Sequence, residues 1–275
     1  MQIFIHMANI YIIVYNHPTI EDLKKTTIKD DKASCFLKEY NNWHYDVGDD
    51  PAFFCAKKYK SNVTWGICRP DVRNNIESND VVVFFCFNSE QRKYYFVGLS
   101  TVKLKIKQTD IWSNDDFSVY QNYYNLLIRK MNKNWEHFEP LFNKKGQHKN
   151  WYLRLGAQHP KESFAVKSHS LLAEFQIKEN YVIFHTEDKF QRILNRPIHV
   201  ANWEKGGKQE VWKYDTTSNA IYNFIFAKTN RVSLRIHGRN SAHRHIKIKT
   251  MPENLENWRD DFIEFLRSID EQSRG

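Results

Sequence analysis

An α+β domain, one mixed and curved β-sheet with flanking helices, is the fold class predicted for this 275-residue chain. Three observations lead there. Short β-branched and aromatic runs recur along the whole length, and helical periodicity is confined to a few blocks. Those blocks do not alternate strictly with the strands, which argues against a doubly wound parallel sheet. No linker or internal repeat interrupts the pattern, so residues 1–275 are expected to form a single domain with a substantial core.

The run NIYIIVY (residues 9–15) is short, β-branched and aromatic, the composition of a central strand. The apolar opening lacks a basic leader and a small-residue cleavage site, and Asn16-His17-Pro18 ends it early. Thr19 with Asp22 three residues on resembles a capping box and predicts a helix over residues 19–29. A second helix over 31–41 would bury Cys35, Phe36 and Tyr40. Strands are expected over 64–68, 80–87 and 94–106, with Asn88-Ser89 as a turn. Asp115-Asp116 then caps an amphipathic helix whose Phe117, Tyr120, Tyr124, Leu127 and Met131 make a core stripe. Residues 144–149, KKGQHK, read as a basic loop. Further strands are expected over 181–185, 198–203, 210–214, 221–226, 232–236 and 245–249. Pro252 opens a last helix with one apolar face, Leu255, Trp258, Phe262, Leu266 and Ile269.

A formal charge of +9 and 15% aromatic residues make nucleic acid the expected partner, with an acidic membrane surface second. Mild basicity that only aids solubility is the plainer alternative. Cys35, Cys55, Cys68 and Cys86 stand far apart with no CxxC pair, which suits reduced thiols and a cytoplasmic setting better than a disulfide framework or zinc site. No run approaches the roughly 18 apolar residues of a membrane span. There is no P-loop, GxGxxG, HExxH or GxSxG, so no cofactor is expected.

The residues that could carry chemistry crowd between Tyr45 and Phe87. Asp46, Asp49 and Asp50 surround Gly48 and precede Pro51. If the bend is partly buried, three such carboxylates cannot all ionise easily, and one becomes suited to acid-base work. A solvated turn is the competing reading, since Asp, Gly and Pro are ordinary turn formers. Phe53 and Phe54 follow at once and could sandwich a base. Arg69 and Arg73 are four apart, a spacing that puts two guanidiniums on one face of a short helical turn and suits phosphates. Asp71 pairing with one of them on the surface would be the bland outcome. Trp65 is either core or a stacking platform. Asn16 stands at a strand exit, where binding residues are common. Near the C terminus, RIHGRNSAHRHIKIK presents Arg239 and Asn240 in a turn between cationic strands, a composition suited to tracking phosphates. His237, His243 and His245 have no acidic co-ligand and many cationic neighbours, so no metal is expected there.

Taken together, Asp46-x-Gly48-x-x-Pro51-x-x-Phe54, Cys68-Arg69-Pro70-x-Val72-Arg73, and Asn79-Asp80 before an apolar strand resemble the nucleotide modification-associated domains. The corresponding stretches there run D-x-G-x-x-P-x-P-F, C-K-P-x-I-R and G-D. YVIFH at 181–185 and VANWEKGGKQEVW at 200–212 look similar too, so the resemblance covers about residues 9–213 and leaves a basic extension over 214–275. This chain departs in Arg69 for lysine, Asn79 for glycine and Phe53 for the second proline, and the last change puts the shape of the acidic bend in doubt. The resemblance implies DNA carrying hypermodified bases, in the neighbourhood of Brig-type antiphage DNA glycosylases that excise glucosylated 5-hydroxymethylcytosine.

In a monofunctional glycosylase of that kind, Asp46 would stabilise the oxocarbenium ion, with Asp50 as second candidate and Asn16 positioning water or the base edge. Asp49, Phe53, Phe54 and Trp65 would line the pocket, while Arg69, Arg73, Arg239 and Asn240 would hold the flanking double-stranded DNA. The alternative is a non-catalytic modified-base reader of a restriction system. No nuclease motif is visible in the chain, which favours the enzyme. Charge does not separate DNA from RNA.

Overall fold

The computed structural model describes residues 9–17, 51–66, 72, 75–88, 91–108, 110–123, 125, 128–131, 134–137, 181–204, 210–213, 215–227, 244–248 and 255–272. The helices expected over 19–29 and 31–41, the loop 144–149 and the strand 232–236 lie outside these residues. The described chain is α+β, with a mixed, curved sheet and flanking helices. It divides into two compact units. The first comprises Met1–His17, Glu77–Val102 and His185–Gly275, and the second Pro18–Ile76 and Lys103–Phe184.

In the first unit, β1 (Ile10–His17) runs parallel to β3 (Val81–Asn88) and antiparallel to β10 (Arg244–Ile248). β3 pairs antiparallel with β4 (Lys93–Ile106), β4 with β8 (Gln191–Trp203), and β8 with β9 (Glu210–Trp212). Every residue of β3 is buried. A near-continuous apolar run is what a parallel strand covered on both faces requires.

Alternation sends Ile10, Ile12 and Val14 of β1 and Val81, Val83, Phe85 and Phe87 of β3 into one core. Two helices cover that face. α3 (Thr216–Phe226) contributes Ile221, Ile225 and Phe226, and α4 (Leu255–Gln272) contributes Phe262, Ile263 and Leu266. The rings of Phe224 and Phe262 stack at 4.5 Å, and Trp258 Nε1 donates to the Phe224 carbonyl at 2.8 Å. Each fully buried side chain of α4 stabilises the fold by roughly 1.5–3 kcal/mol. An ion pair between Arg192 and the buried Asp270 ties the same helix to β8.

Three expectations are corrected here. Residues 221–226 are helical, because Asp215 caps α3 by accepting from the Ser218 N–H at 2.8 Å. The apolar spacing from Ile221 to Ile225 is then a helical one, overriding the strand propensity of isoleucine, tyrosine and phenylalanine. The helix expected from Asp115 to Met131 is a 3₁₀ helix that stops at Asn122, capped by Asn114. Phe117, Tyr120 and Tyr123 recur every three residues, with ring centroids 6.3 and 5.2 Å apart, which is the 3₁₀ period. Beyond it, β5 (Ile128–Met131) pairs with β6 (Asn134–His137). Finally, β8 starts at Gln191 and not at residue 198. The polar residues there hid its beginning, and Pro197 is tolerated because β8 makes no pair with β4 between Ile193 and Ile198.

That irregularity depends on Gly98, whose φ is +147°. A Cβ there would lie 2.2 Å from the Arg192 carbonyl oxygen and 2.8 Å from Ile193 Cα, both backbone atoms. Gly98→Ala is therefore expected to destabilise the protein by about 3 kcal/mol or more, read as a lowered midpoint in urea.

In the second unit, β2 (Thr64–Gly66) pairs antiparallel with β7 (Tyr181–Phe184). Ala52, Cys55, Ile106, Ile111, Tyr120, Tyr123, Tyr181 and Ile183 form its core. A helix unforeseen in the sequence, α1 (Phe53–Tyr59), ends at Lys60 with a left-handed φ of 48°. α2 (Asp110–Ser113) is a single turn. Cys55 and Cys86 are buried free thiols, and no described helix is long and apolar enough to cross a membrane.

Candidate functional site

Asp46, Asp49, Asp50, Arg69, Arg73, Arg239 and Asn240 lie outside the described residues. In the chain Asp50 is followed by buried Pro51 and Ala52. The Ala52 N–H donates to the Thr64 carbonyl at 2.8 Å, which ties the residue before α1 to β2. Phe53 then opens α1 and is buried, with Phe54 following on the same helix. Trp65 of β2 is 2% exposed. Both described rings, Phe53 and Trp65, are enclosed and offer no open face to solvent.

Thr64 is the hub of this frame. Its carbonyl also accepts from Asn125 Nδ2 at 2.8 Å, so both lone pairs are engaged. That bond orients the amide so that Asn125 Oδ1 faces two hydroxyls, Thr64 Oγ1 at 3.1 Å and Tyr181 Oη at 2.8 Å. The hydroxyls are themselves 2.8 Å apart. Three contacts share two hydrogens, so only two can be hydrogen bonds at once. Burial pushes the Tyr181 phenol well above its ordinary range, against the lowering effect of the Thr64 bond, so it stays neutral. Close by, Asn62 Oδ1 accepts from Tyr120 Oη at 2.8 Å and the Asn62 carbonyl accepts from Tyr123 Oη at 2.9 Å.

Of residues 69–73, Val72 alone is described. Val72 is buried and its carbonyl accepts from the N–H groups of Asn75 and Ile76, each at 2.9 Å. The helical turn expected to bring Arg69 and Arg73 onto one face lies outside the described residues, Val72 excepted.

In the first unit, Asn79 has a left-handed φ of 72°, a conformation that glycine and asparagine adopt at least cost. Asp80 is fully buried. Its Oδ1 accepts from the Asn9 N–H at 2.6 Å and Asn9 Nδ2 at 3.2 Å, and its Oδ2 from the Glu77 N–H at 2.7 Å. The carboxylate therefore pins the start of β1 to the turn that opens β3. Burial first, then the Asp80 and Glu77 carboxylates, push the Tyr11 phenol far above its ordinary range.

Asn16 is the penultimate residue of β1, paired with Phe87. One position earlier, Tyr15, Cys86, Tyr95 and His199 fall in register across four strands. Burial pushes the Cys86 thiol and the Tyr95 phenol upward. Sequence reasoning singled out none of Tyr181, Asn125, Tyr95 and His199. Their partners stand tens of residues away, and no local spacing announces them.

Comparison with protein families, curated proteins and solved structures finds no match to this chain.

Proposed function

We propose that the chain is a DNA glycosylase that excises a hypermodified base, glucosylated 5-hydroxymethylcytosine, from phage DNA and leaves abasic sites. The reading belongs to antiphage defence and draws on the resemblance to the nucleotide modification-associated domains. The observation that supports it is the composition of residues 46–80, several of whose described members are held tightly. Pro51 and Val72 are buried, Asn79 sits in the left-handed region, and Asp80 is buried with three hydrogen bonds from Asn9 and Glu77. Carboxylates and guanidiniums that neighbour such residues in the chain suit pre-organised stabilisation of developing charge.

In this reading the target nucleotide swings out of the duplex, and cations on the flanking phosphates offset the unstacking. The C1′–N bond then breaks, the base leaves with a proton, and the oxygen of water adds at C1′. Asp46 stabilises the cationic sugar, Asp50 and Asp49 adjoin it in sequence, and Asn16 orients the water. Phe53 and Trp65, being enclosed, support the site through packing, and Phe54 follows Phe53 in the chain. Arg69, Arg73, Arg239 and Asn240 hold the DNA backbone. No metal is required.

The test incubates purified protein, with chelator present, with unmodified, hydroxymethylated and glucosylated phage DNA, followed by heat or alkali. Breaks and free base are expected with the glucosylated DNA alone. Tight binding of that DNA without base release would make the protein a reader of modified bases instead.

A further inference from the structure

The end of the first unit's sheet where β4, β8 and β9 meet carries a group of side chains that the acidic bend does not use. Tyr94, Ala201 and Trp212 point into the core, which turns their strand neighbours Lys93, Tyr95 and Asn202 to the opposite face. His199 pairs with Tyr95 on that face, ring centroids 5.4 Å apart. Lys213 follows β9 and its N–H donates to the Val200 carbonyl at 2.7 Å. Its ammonium is 2.8 Å from Asp215 Oδ2, while Asp215 Oδ1 caps α3. The cap thereby fixes where Lys213 sits. Lys93 makes no ion pair among the described residues. His199, partly buried, feels the positive charge of both lysines.

We propose that Lys93, His199 and Lys213 form a docking point for a phosphodiester of nucleic acid, and that His199 takes up a proton as the phosphate arrives. His199 Nε2 lies 2.9 Å from Asn202 Oδ1, so it carries the hydrogen and leaves Nδ1 as the basic nitrogen. Burial holds this imidazole below its ordinary range, and Lys213 and Lys93 add to that against the Asn202 bond. A phosphate between the lysines cancels their repulsion of an imidazolium, so the bound state favours the proton.

The other groups facing the ring do not titrate in the same window. Burial pushes Tyr95, and Cys86 behind it, upward, and the hydrogen bonds from Lys213 and Ser218 hold Asp215 at about 2. The sign follows. A histidine whose value rises on binding makes binding tighter as pH falls, through the interval between its free and bound values.

The docking point deepens the nucleic-acid reading above and rests on it for its polymer partner. The test measures anisotropy of a labelled, unmodified DNA duplex with the whole protein from pH 8 to pH 5.5, and repeats it at several salt concentrations. Wild-type affinity is expected to rise about fivefold on acidification, and His199→Gln to flatten that slope. Lys93→Gln and Lys213→Gln should each weaken binding about fivefold and lower the salt slope by about one. Proton NMR of the histidine ring, identified by its loss in His199→Gln, should show its titration move up on adding duplex. Inorganic phosphate, as a separate arm, should move it less.

Wild-type affinity and salt slope in all three variants would overturn the docking point and leave the nucleic-acid reading standing. No duplex binding by the wild type would overturn both. An equal or larger response to inorganic phosphate would replace the polymer with a free anion. Matching thermal melts establish that the variants are folded.

Discussion

Asp46→Asn is expected to abolish base release from glucosylated DNA while leaving duplex affinity and thermal stability close to wild type. Breaking an N-glycosidic bond builds positive charge on the deoxyribose, and a carboxylate held near C1′ interacts with that charge far more strongly in the transition state than before it. The amide keeps the shape and loses the charge. Removing one pre-organised electrostatic contact of this kind typically costs about 10²–10³ in rate, and losing a full charge sets the loss at the upper end. Stability should hold because the described contacts that follow Asp46 in the chain, buried Pro51 and the Ala52 N–H bonded to the Thr64 carbonyl at 2.8 Å, do not involve its side chain. Single-turnover release of free base, with anisotropy for binding and circular dichroism for folding, separates the three quantities. Wild-type release by Asp46→Asn would transfer the role to Asp50 or Asp49, each tested by the same substitution.

The second large effect is on folding. Asp80→Ala should lower the stability by about 3 kcal/mol, because it strands the partly buried N–H groups of Asn9 and Glu77 that now donate at 2.6 and 2.7 Å. Bonds to a charged acceptor contribute about 1.5–3 kcal/mol each, and the donors left behind add their own desolvation cost. Asp80→Asn should fall between, at about 2 kcal/mol, since one oxygen still accepts while an amide N–H opposes a backbone donor. Urea denaturation gives both numbers. An Asp80→Ala midpoint equal to wild type would show that the carboxylate does not hold β1 to the opening of β3.

These predictions draw on different kinds of legibility. Strands β1, β3 and β4 were readable because IYIIVY and VVVFFCF bury both faces, and such runs depend on no distant partner. The apolar face of α4 was readable for the same reason, its period being complete within one segment. α3 was not, because IYNFIF has the propensity of a strand and only its docking, with Ser218, Ile221 and Ile225 buried together, makes the helical period count. The 3₁₀ turn was misread because Tyr120 supports both a spacing of three and one of four, and packing against Tyr123 decided between them.

At the candidate site, the residue types suited to charge stabilisation were legible in the bend and the arginine cluster. The frame was not. Thr64, Asn125 and Tyr181 are separated by 61 and 56 residues and converge only once β2 and β7 pair.

The chain's own order thus determined which segments are apolar enough to be strands, where the last helix lies, and which short block concentrates carboxylates, arginines and a rigid proline. Tertiary structure alone decided that β1 runs parallel to β3 but antiparallel to β10, that Asp80 closes the joint between the first two, and that His199 comes to feel the charge of Lys93 and Lys213. The reason is physical. Propensity and periodicity are local energies, whereas a strand's partner and a side chain's electrostatic surroundings arise from contacts between residues whose separation along the chain carries no signal.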